Sequence, residues 1–381
     1  MLFMTGVTGA LGVELLRILI RDHRDRPARF LIRAKDEGRL AERWRKIVAI
    51  ASDGKATPAD LPFFAPLAGD ITSRDLRIST ADRAMLVAGV EEIIHSAATV
   101  DFDEPLDSCR LINVEGARHI FDLALECRNL TKFGHISTLY VAGKRTGIVD
   151  EADLLHNHGF VTNGYEQSKY EAEILARGYF DRLPMAIYRM SLLMGCARDG
   201  YVHDHGAVQR YLKFMFKGIA PCFPGLPDCP LDFLPHDYSA ELVMRLFDDK
   251  FRRGETYQIS AARRAPTASQ WLDLTADTFA RHSTPWARGY YNVPDIVSWD
   301  TYQLYKRTLY TIENLELMKV IHTMDSCFEE LFCPKLFTRT NVDITLDLGE
   351  ETIPDYREYY PRILEHCIET RWGLAPQFAK A

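Results

Sequence analysis

Thr5-Gly6-Val7-Thr8-Gly9-Ala10-Leu11-Gly12 carries three glycines at steps of three, directly behind the apolar lead-in Leu2-Phe3-Met4. An amphipathic run follows, with Leu11, Leu15, Leu16, Leu19 and Ile20 on one face and Glu14, Arg17 and Arg21 on the other. The pattern predicts a strand, a tight glycine turn and a helix. Its physical logic is a nucleotide cradle spanning Thr5, Gly6, Thr8, Gly9, Ala10, Leu11 and Gly12. Gly6 allows the turn, Gly9 leaves the backbone open to a pyrophosphate, and Gly12 permits close packing of the helix on the sheet. The helix N-terminus then offers free N–H groups and a positive dipole end to the anion. Ordinary loops also carry glycines at such spacing, so the reading needs support from further along the chain. Only four residues precede Thr5, short for a central strand. Either the sheet tolerates a clipped first strand or the true start lies upstream.

The chain has 381 residues, more than one hydrophobic core usually holds. Its 47% apolar and 26% charged content are ordinary globular values. A net charge of −7 argues against a nucleic-acid binder, which would carry a broad basic face. The eight cysteines, at 109, 127, 196, 222, 229, 327, 333 and 367, form no Cys-x-x-Cys pair and read as buried free thiols in a reducing compartment. The first twenty residues lack the basic leading segment of a secretory signal, and Glu14 and Arg17 interrupt them. No uninterrupted apolar run is long enough to span a bilayer. The expectation is a cytoplasmic protein with no transmembrane segment.

Residues 28–33 read as the second strand of a βαβ unit. An acidic residue at its end would hold the ribose 2′-hydroxyl of NAD. Arg33 stands there instead, followed by Lys35, with Arg39 and Arg43 on the next helix. A cationic strand end suits the 2′-phosphate of NADP, with Arg33 and Arg43 as candidate ligands and Arg39 read as solvated. Residues 63–68 predict a strand followed by Gly69-Asp70-Ile71, where Asp70 is placed either to accept from an adenine amino group or simply to form a turn. Residues 91–95 predict a strand ending in His95-Ser96-Ala97-Ala98. The small residues Ser96, Ala97 and Ala98 let a dinucleotide lie across the strand end, and His95 reads as a structural hydrogen-bonder. A helix is expected over 113–127 with Asn113 as its cap. A strand over 133–138 delivers Ser137 and Thr138, a helix runs from Tyr165 to about Arg182, and a strand covers 185–190. Alternating strands and helices give an α/β fold, a doubly wound parallel Rossmann sheet. The expected boundaries are 1–195 for the NADP-binding domain, with strand returns near 230–262, and 196–381 for a smaller, mostly helical substrate region. Within the latter, helices are expected at 207–219 and 238–247 and a strand at 256–260.

Tyr165 and Lys169 are four apart and so share one helix face. A free tyrosine has a pKa near 10, and an ammonium one turn away is expected to lower it toward proton exchange at neutral pH. The same lysine can hydrogen-bond a nicotinamide ribose. Thr138, with Ser137 behind it, is placed to hold a substrate oxygen while Tyr165 protonates it. The pairs His156/His158 and His203/His205 each lack a third ligand, so they read as loop residues and no metal is expected.

Together, the glycine loop, Gly69-Asp70-Ile71, His95-Ser96-Ala97-Ala98, Ser137-Thr138, Tyr165-Glu166-Gln167-Ser168-Lys169 and Leu234-Pro235-His236-Asp237-Tyr238 resemble an extended short-chain dehydrogenase/reductase over residues 1 to about 245. Leu31-Ile32-Arg33-Ala34-Lys35, the stretch from His95 to Phe102, and Asn113-Val114-Glu115-Gly116 are most similar to its thioester-reductase branch, which includes fatty acyl-CoA reductases and the terminal reductase domains of carboxylic acid reductases and nonribosomal peptide synthetases. Past 265 the likeness is confined to Phe337-Thr338-Arg339-Thr340-Asn341-Val342. The resemblance implies NADPH-dependent reduction of an acyl thioester, on CoA or an acyl carrier protein, to an aldehyde or alcohol. It also implies Thr138, Tyr165 and Lys169 as catalytic residues and an apolar acyl site lined by the aromatic helix at 207–219 and the C-terminal part. The sequence leaves the oligomeric state open, with a homodimer as one option. An alcohol or ketone dehydrogenase of hydroxysteroid or sugar-nucleotide type would share every cofactor residue and the Thr/Tyr/Lys set. A non-catalytic nucleotide sensor would have no need of a proton donor.

Overall fold

Leu2, Phe3 and Met4 are all fully buried, yet they enter different cores. Leu2 and Met4 pack with helices on one side of the sheet and Phe3 with helices on the other, as strand alternation requires when both faces are covered. Ile94 and Ile93 divide in the same way, as do Phe30 and Leu31. The computed structural model describes residues 1–152, 159, 163–312 and 315–374. Its main sheet has seven strands: β1 (Leu2–Thr5), β2 (Ala28–Ile32), β3 (Phe64–Ala68), β4 (Glu92–His95), β5 (Lys132–Thr138), β6 (Met185–Met190) and β7 (Thr256–Ile259). All pair in parallel, in the order β3-β2-β1-β4-β5-β6-β7. The strand order reverses at β1, where Thr5 stands level with His95 of β4 and Leu31 of β2. Ligands of such sheets bind at the carboxyl ends of the strands beside that switch point.

Helices α1 (Ala10–Asp22), α2 (Glu37–Ala51), α3 (Thr80–Gly89), α4 (Leu106–Arg110), α5 (Gly116–Glu126), α6 (Gly164–Arg177), α7 (Ala207–Phe216) and α8 (His236–Asp248) build the layers. α1, α2 and α8 cover one face, and α3, α5 and α6 cover the other. Boundaries shift where local chemistry decides. α6 stops at Arg177, short of the expected Arg182, with Gly178 as its C-cap residue. α7 stops at Phe216, and Gly218 turns the chain at φ +69°. The larger correction concerns Asn113. It does not cap a helix, because the helical run already starts at Leu106, after Pro105. A single π turn, Leu111–Glu115, carries Asn113 through the middle of that run and into α5.

A separate aromatic core gathers Tyr211, Phe223, Trp271, Phe279, Tyr302, Phe328 and Tyr360 around the helices that follow residue 267. The region is mainly helical, as the sequence predicts, and a short strand, Lys335–Phe337, pairs in parallel with Gly147–Val149.

The first glycine turn shows why two of its positions exclude a side chain. Gly6 takes φ +77°, and a Cβ there would lie 2.5 Å from the Ser96 carbonyl carbon. A Cβ on Gly12 would lie 2.1 Å from the Gly6 carbonyl oxygen. The tight approach at Gly12 is therefore to the turn itself rather than to a sheet strand. Gly12→Ala is expected to destabilise the protein by about 1–3 kcal/mol through overpacking, seen as a lowered thermal midpoint. An unchanged midpoint would show that the turn yields.

Candidate functional site

The cradle forms because Gly9 ends the turn and α1 starts at Ala10. The Gly9 N–H donates to the Gly6 carbonyl (3.1 Å), and the Val13 N–H to the Gly9 carbonyl (2.9 Å). No side chain caps this helix, so the N–H groups of its first turn, at Ala10, Leu11 and Gly12, point toward the crevice. A Cβ on Gly9 would meet only the Gly6 oxygen, at 3.6 Å, which leaves room for a phosphate. Ser96 and Ala97 pack against Gly6, with Ala98 following, so the predicted strand-end residues come together with the loop. These residues fit a dinucleotide. Thr5 differs from expectation. Its fully buried hydroxyl accepts from the Ala97 N–H (3.2 Å) and shares a hydrogen bond with His95 Nδ1 (2.8 Å), so it buttresses the loop from behind. His95 is structural, as the sequence suggested, and burial lowers its pKa to about 3.

At the end of β2 a cleft of about 810 Å³ is lined by Arg33, Lys35, Arg39, Arg43, Asp70 and Arg77. Arg43 donates to the Arg33 carbonyl, which fixes the strand end. Arg33 makes no ion pair among the described residues. Arg39, read as solvated, lines the cleft while pairing with Glu42 at 2.7 Å. Arg77 was not anticipated, because no sequence spacing ties it to β2. It comes from the loop after β3 and is held by Ser73 Oγ (2.8 Å). Asp70 takes its turn-forming role, with Oδ1 accepting from the Thr72 N–H (3.0 Å) and hydroxyl (2.8 Å). Ile71 is buried against Gly116, and its carbonyl meets His119 Nδ1 at 2.7 Å.

β5 and α6 bring the predicted Thr/Tyr/Lys residues together. Asn163 caps α6, its side chain accepting from the Glu166 N–H (2.9 Å), and so fixes where Tyr165 emerges. The Thr138 hydroxyl hydrogen-bonds Tyr165, and Lys169 Nζ donates to the Ile136 carbonyl (2.8 Å). The electrostatics differ from expectation. Burial pushes the Tyr165 phenol up to about 12, against the downward pull of the Thr138 hydrogen bond. Lys169 is itself lowered to about 8 by burial, with Glu173 pulling it back up. In this state Tyr165 is a protonated acid at neutral pH rather than a poised phenolate.

Ser137 faces the other way. Its hydroxyl donates to Glu173 Oε2 (2.7 Å), so Ser137, read with Thr138 as one of the candidate hydroxyls, holds a carboxylate of α6 and not Tyr165: neighbours on a strand point to opposite faces. Glu173 is fully buried and also accepts from Arg189 Nη2 (2.9 Å) and Arg177 Nη2 (3.1 Å). Tyr165, Lys169 and Glu173 therefore stand at successive turns of α6, and extending the four-residue step by one turn finds Glu173 in the sequence. If Lys169 works as an ammonium, turnover falls as pH rises through about 8. Glu173→Gln removes the anion that supports this charge. We expect the alkaline limb of kcat/KM to move down by about one pH unit. A loss equal at every pH would reduce Glu173 to a purely structural role.

Asn113 is the residue sequence reasoning placed wrongly. Its Nδ2 donates to Ser168 Oγ (2.9 Å) and the Thr99 carbonyl (3.2 Å), which ties the π turn to the middle of α6. His203, read from the sequence as a loop residue, donates through Nε2 to the Thr8 carbonyl (2.9 Å), since a carbonyl can only accept. The pair His156/His158 lies outside the described residues.

Beyond Thr138 an apolar cavity of about 110 Å³ opens between Leu139, Tyr140, Leu192, Phe233, Trp271 and Phe328. The Phe102 ring joins it to the site, 6.2 Å from Tyr140 and 5.3 Å from Tyr165 between centroids. From α7 only Val208 reaches this cavity. Tyr211 and Met215 are core residues, so the aromatic helix is not the lining expected of it.

A model of the NAD-binding family described as male sterility protein matches residues 4–243. The chain belongs to this family. It thereby joins the extended short-chain dehydrogenases/reductases, a class of NAD(P)-dependent oxidoreductases with a nicotinamide cofactor. Among its relatives, a linear gramicidin synthase of Brevibacillus parabrevis is 30% identical over 280 residues, covering 72% of this chain and 5% of that one. The alcohol-forming fatty acyl-CoA reductase of Simmondsia chinensis is 29% identical over 161 residues, covering 39% of this chain and 33% of that one. The chain spans about half or less of the length of the curated relatives it matches. The crystal structure of the terminal R domain from the myxalamid PKS-NRPS biosynthetic pathway superposes with a TM-score of 0.81 at 24% identity, covering 98% of this chain and 92% of that one, a likeness of fold. Among the described residues no helix is long and apolar enough to cross a membrane.

Proposed function

We propose that the protein is an NADPH-dependent reductase of acyl thioesters. One observation supports the reading most: the Thr138 hydroxyl hydrogen-bonds Tyr165, and the next residues of the chain, Leu139 and Tyr140, line an apolar cavity. The names of the relatives, a linear gramicidin synthase and a fatty acyl-CoA reductase, support a thioester carried by a carrier protein or by CoA. On this reading Ala10, Leu11 and Gly12 offer N–H groups to the pyrophosphate, and Arg33 and Arg43 meet the 2′-phosphate. The bound nicotinamide supplies the hydride. Thr138 and Tyr165 hydrogen-bond the thioester oxygen and stabilise the charge that gathers on it. Tyr165, kept protonated by burial, gives that oxygen its proton. The hemithioacetal then collapses to aldehyde and free thiol, and a second hydride would give the alcohol. Lys169 holds positive charge beside the phenol and is placed to hydrogen-bond the nicotinamide ribose.

The test is NADPH oxidation across matched acyl thioesters, ketones and alcohols, followed by absorbance. Oxidation is expected with thioesters. Turnover confined to ketones or alcohols would favour the dehydrogenase reading instead.

A further inference from the structure

The loop over residues 196–206 leaves the sheet after β6 and returns to the glycine turn, yet no step of the proposed chemistry uses it. It is closed on itself: the Gly200 N–H donates to the Cys196 carbonyl and the Cys196 N–H to the Tyr201 carbonyl, both at 2.9 Å. Three helices grip it. Asp237, in the first turn of α8, accepts from the Ala197 N–H (2.9 Å) and the Arg198 N–H (3.0 Å). Arg198 also reaches Glu14 of α1, at 3.6 Å. From the helix Tyr356–Glu369, Arg362 donates to the Ala197 carbonyl, and a Cβ on Gly200 would lie only 2.3 Å from the Arg362 carbonyl oxygen. Held in this way, the loop brings His203 to the cradle.

His203 donates through Nε2 to the Thr8 carbonyl (2.9 Å), so in the neutral ring Nδ1 is left as an acceptor. The Tyr201 hydroxyl stands 3.3 Å from that Nδ1, and burial, which raises the pKa of this phenol, keeps it a donor. The hydrogen bonds thus run one way, from Tyr201 through His203 to Thr8. What they fix is a single peptide plane. The Thr8 carbonyl and the Gly9 N–H belong to the same planar trans peptide and point in opposite directions. The Gly9 N–H donates to the Gly6 carbonyl (3.1 Å), and His203 takes the other end. Gly9 is the N-cap of α1, so this peptide leads directly into the N–H groups that face the crevice. A peptide free to rotate would lose its bond to Gly6 and turn a carbonyl oxygen toward the anion those N–H groups are placed to meet.

We infer that His203 is a positioning residue of the nucleotide site, holding the Thr8–Gly9 peptide in the orientation that receives a pyrophosphate. The inference rests on the dinucleotide cradle and not on the thioester chemistry. It gives the region after β6 a part in holding the cofactor. Arg33 is placed to read the 2′-phosphate, whereas His203 acts on the portion that NADPH and NADH share.

The experiment titrates NADPH and NADH into the full chain and follows nucleotide fluorescence. His203→Phe is expected to raise both Kd values by the same factor, roughly 3- to 10-fold, the scale of one hydrogen bond. His203→Gln keeps an N–H donor and is expected to recover most of the lost affinity. Unchanged Kd values in His203→Phe would overturn the inference, as would a loss confined to NADPH. An equal loss in the Gln and Phe variants would overturn it too, since the ring's packing and not its hydrogen bond would then matter. Tyr201→Phe keeps the ring and removes only the donor to Nδ1. It is expected to raise both Kd values by about twofold to fivefold, and unchanged affinity there would overturn the inference even if His203→Phe fails to fold. A wild-type protein that binds neither nucleotide would overturn the cradle and the inference with it. The thioester reading stands or falls separately, on the substrate panel.

Discussion

Tyr165→Phe should lower turnover by about 100-fold to 10,000-fold, the range a positioned general acid contributes. The change removes one oxygen from a side chain that is only 8% exposed, and the ring keeps its contact with Phe102. NADPH affinity, measured by fluorescence titration, should stay within about twofold, because the cradle at Gly6–Gly12 lies on separate elements. The proton for the substrate oxygen must come from a group protonated at working pH, and burial has set Tyr165 in that state. Turnover near the wild-type rate would remove Tyr165 from the mechanism. Loss of cofactor affinity equal to the loss of turnover would mean that the phenol holds the nucleotide instead.

The second large effect belongs to the cofactor. Arg33→Ala should raise the Kd for NADPH by roughly 10- to 100-fold, the scale of one or two charge-assisted hydrogen bonds to a phosphate. The Kd for NADH should change little, because the adenosine ribose then carries no 2′-phosphate for the guanidinium to meet. Arg33 is suited to this role by its freedom. Arg43 is tied to the Arg33 carbonyl and Arg39 to Glu42, while Arg33 makes no ion pair among the described residues and faces a cleft that Lys35 and Arg77 make more positive. Equal losses for both nucleotides would overturn the assignment of NADPH.

Much of this was legible in the sequence because it is periodic. Three glycines at steps of three and apolar residues at helical spacing placed β1, the turn and α1. Alternating strand and helix segments gave the doubly wound sheet. A four-residue step put Tyr165 and Lys169 on one face. The features that escaped depend on distances along the chain that no local pattern records. Asn113 looks like a cap, and only the packing of α4 and the π turn against α6 turns it toward Ser168. Arg77 joins the cationic cleft through the fold of a loop. Ser137 and Thr138 are adjacent and chemically alike, so the sequence could set Ser137 behind Thr138 without showing what Ser137 meets there. The strand pleat decides it, turning Ser137 to Glu173. The supposed lowering of the Tyr165 pKa failed for a related reason. Spacing shows that a lysine is near, but burial, which acts on both groups, is set by the whole fold.

The central claim is hydride transfer to a thioester carbonyl with release of its thiol. The direct measurement supplies NADPH deuterated at the transferring position together with an acyl pantetheine thioester, and follows free thiol and product mass together. The account predicts one equivalent of free pantetheine for each acyl group reduced, with one deuterium in the aldehyde or two in the alcohol. Free thiol without deuterium in the product, or oxidation of NADPH only when a ketone replaces the thioester, would contradict it.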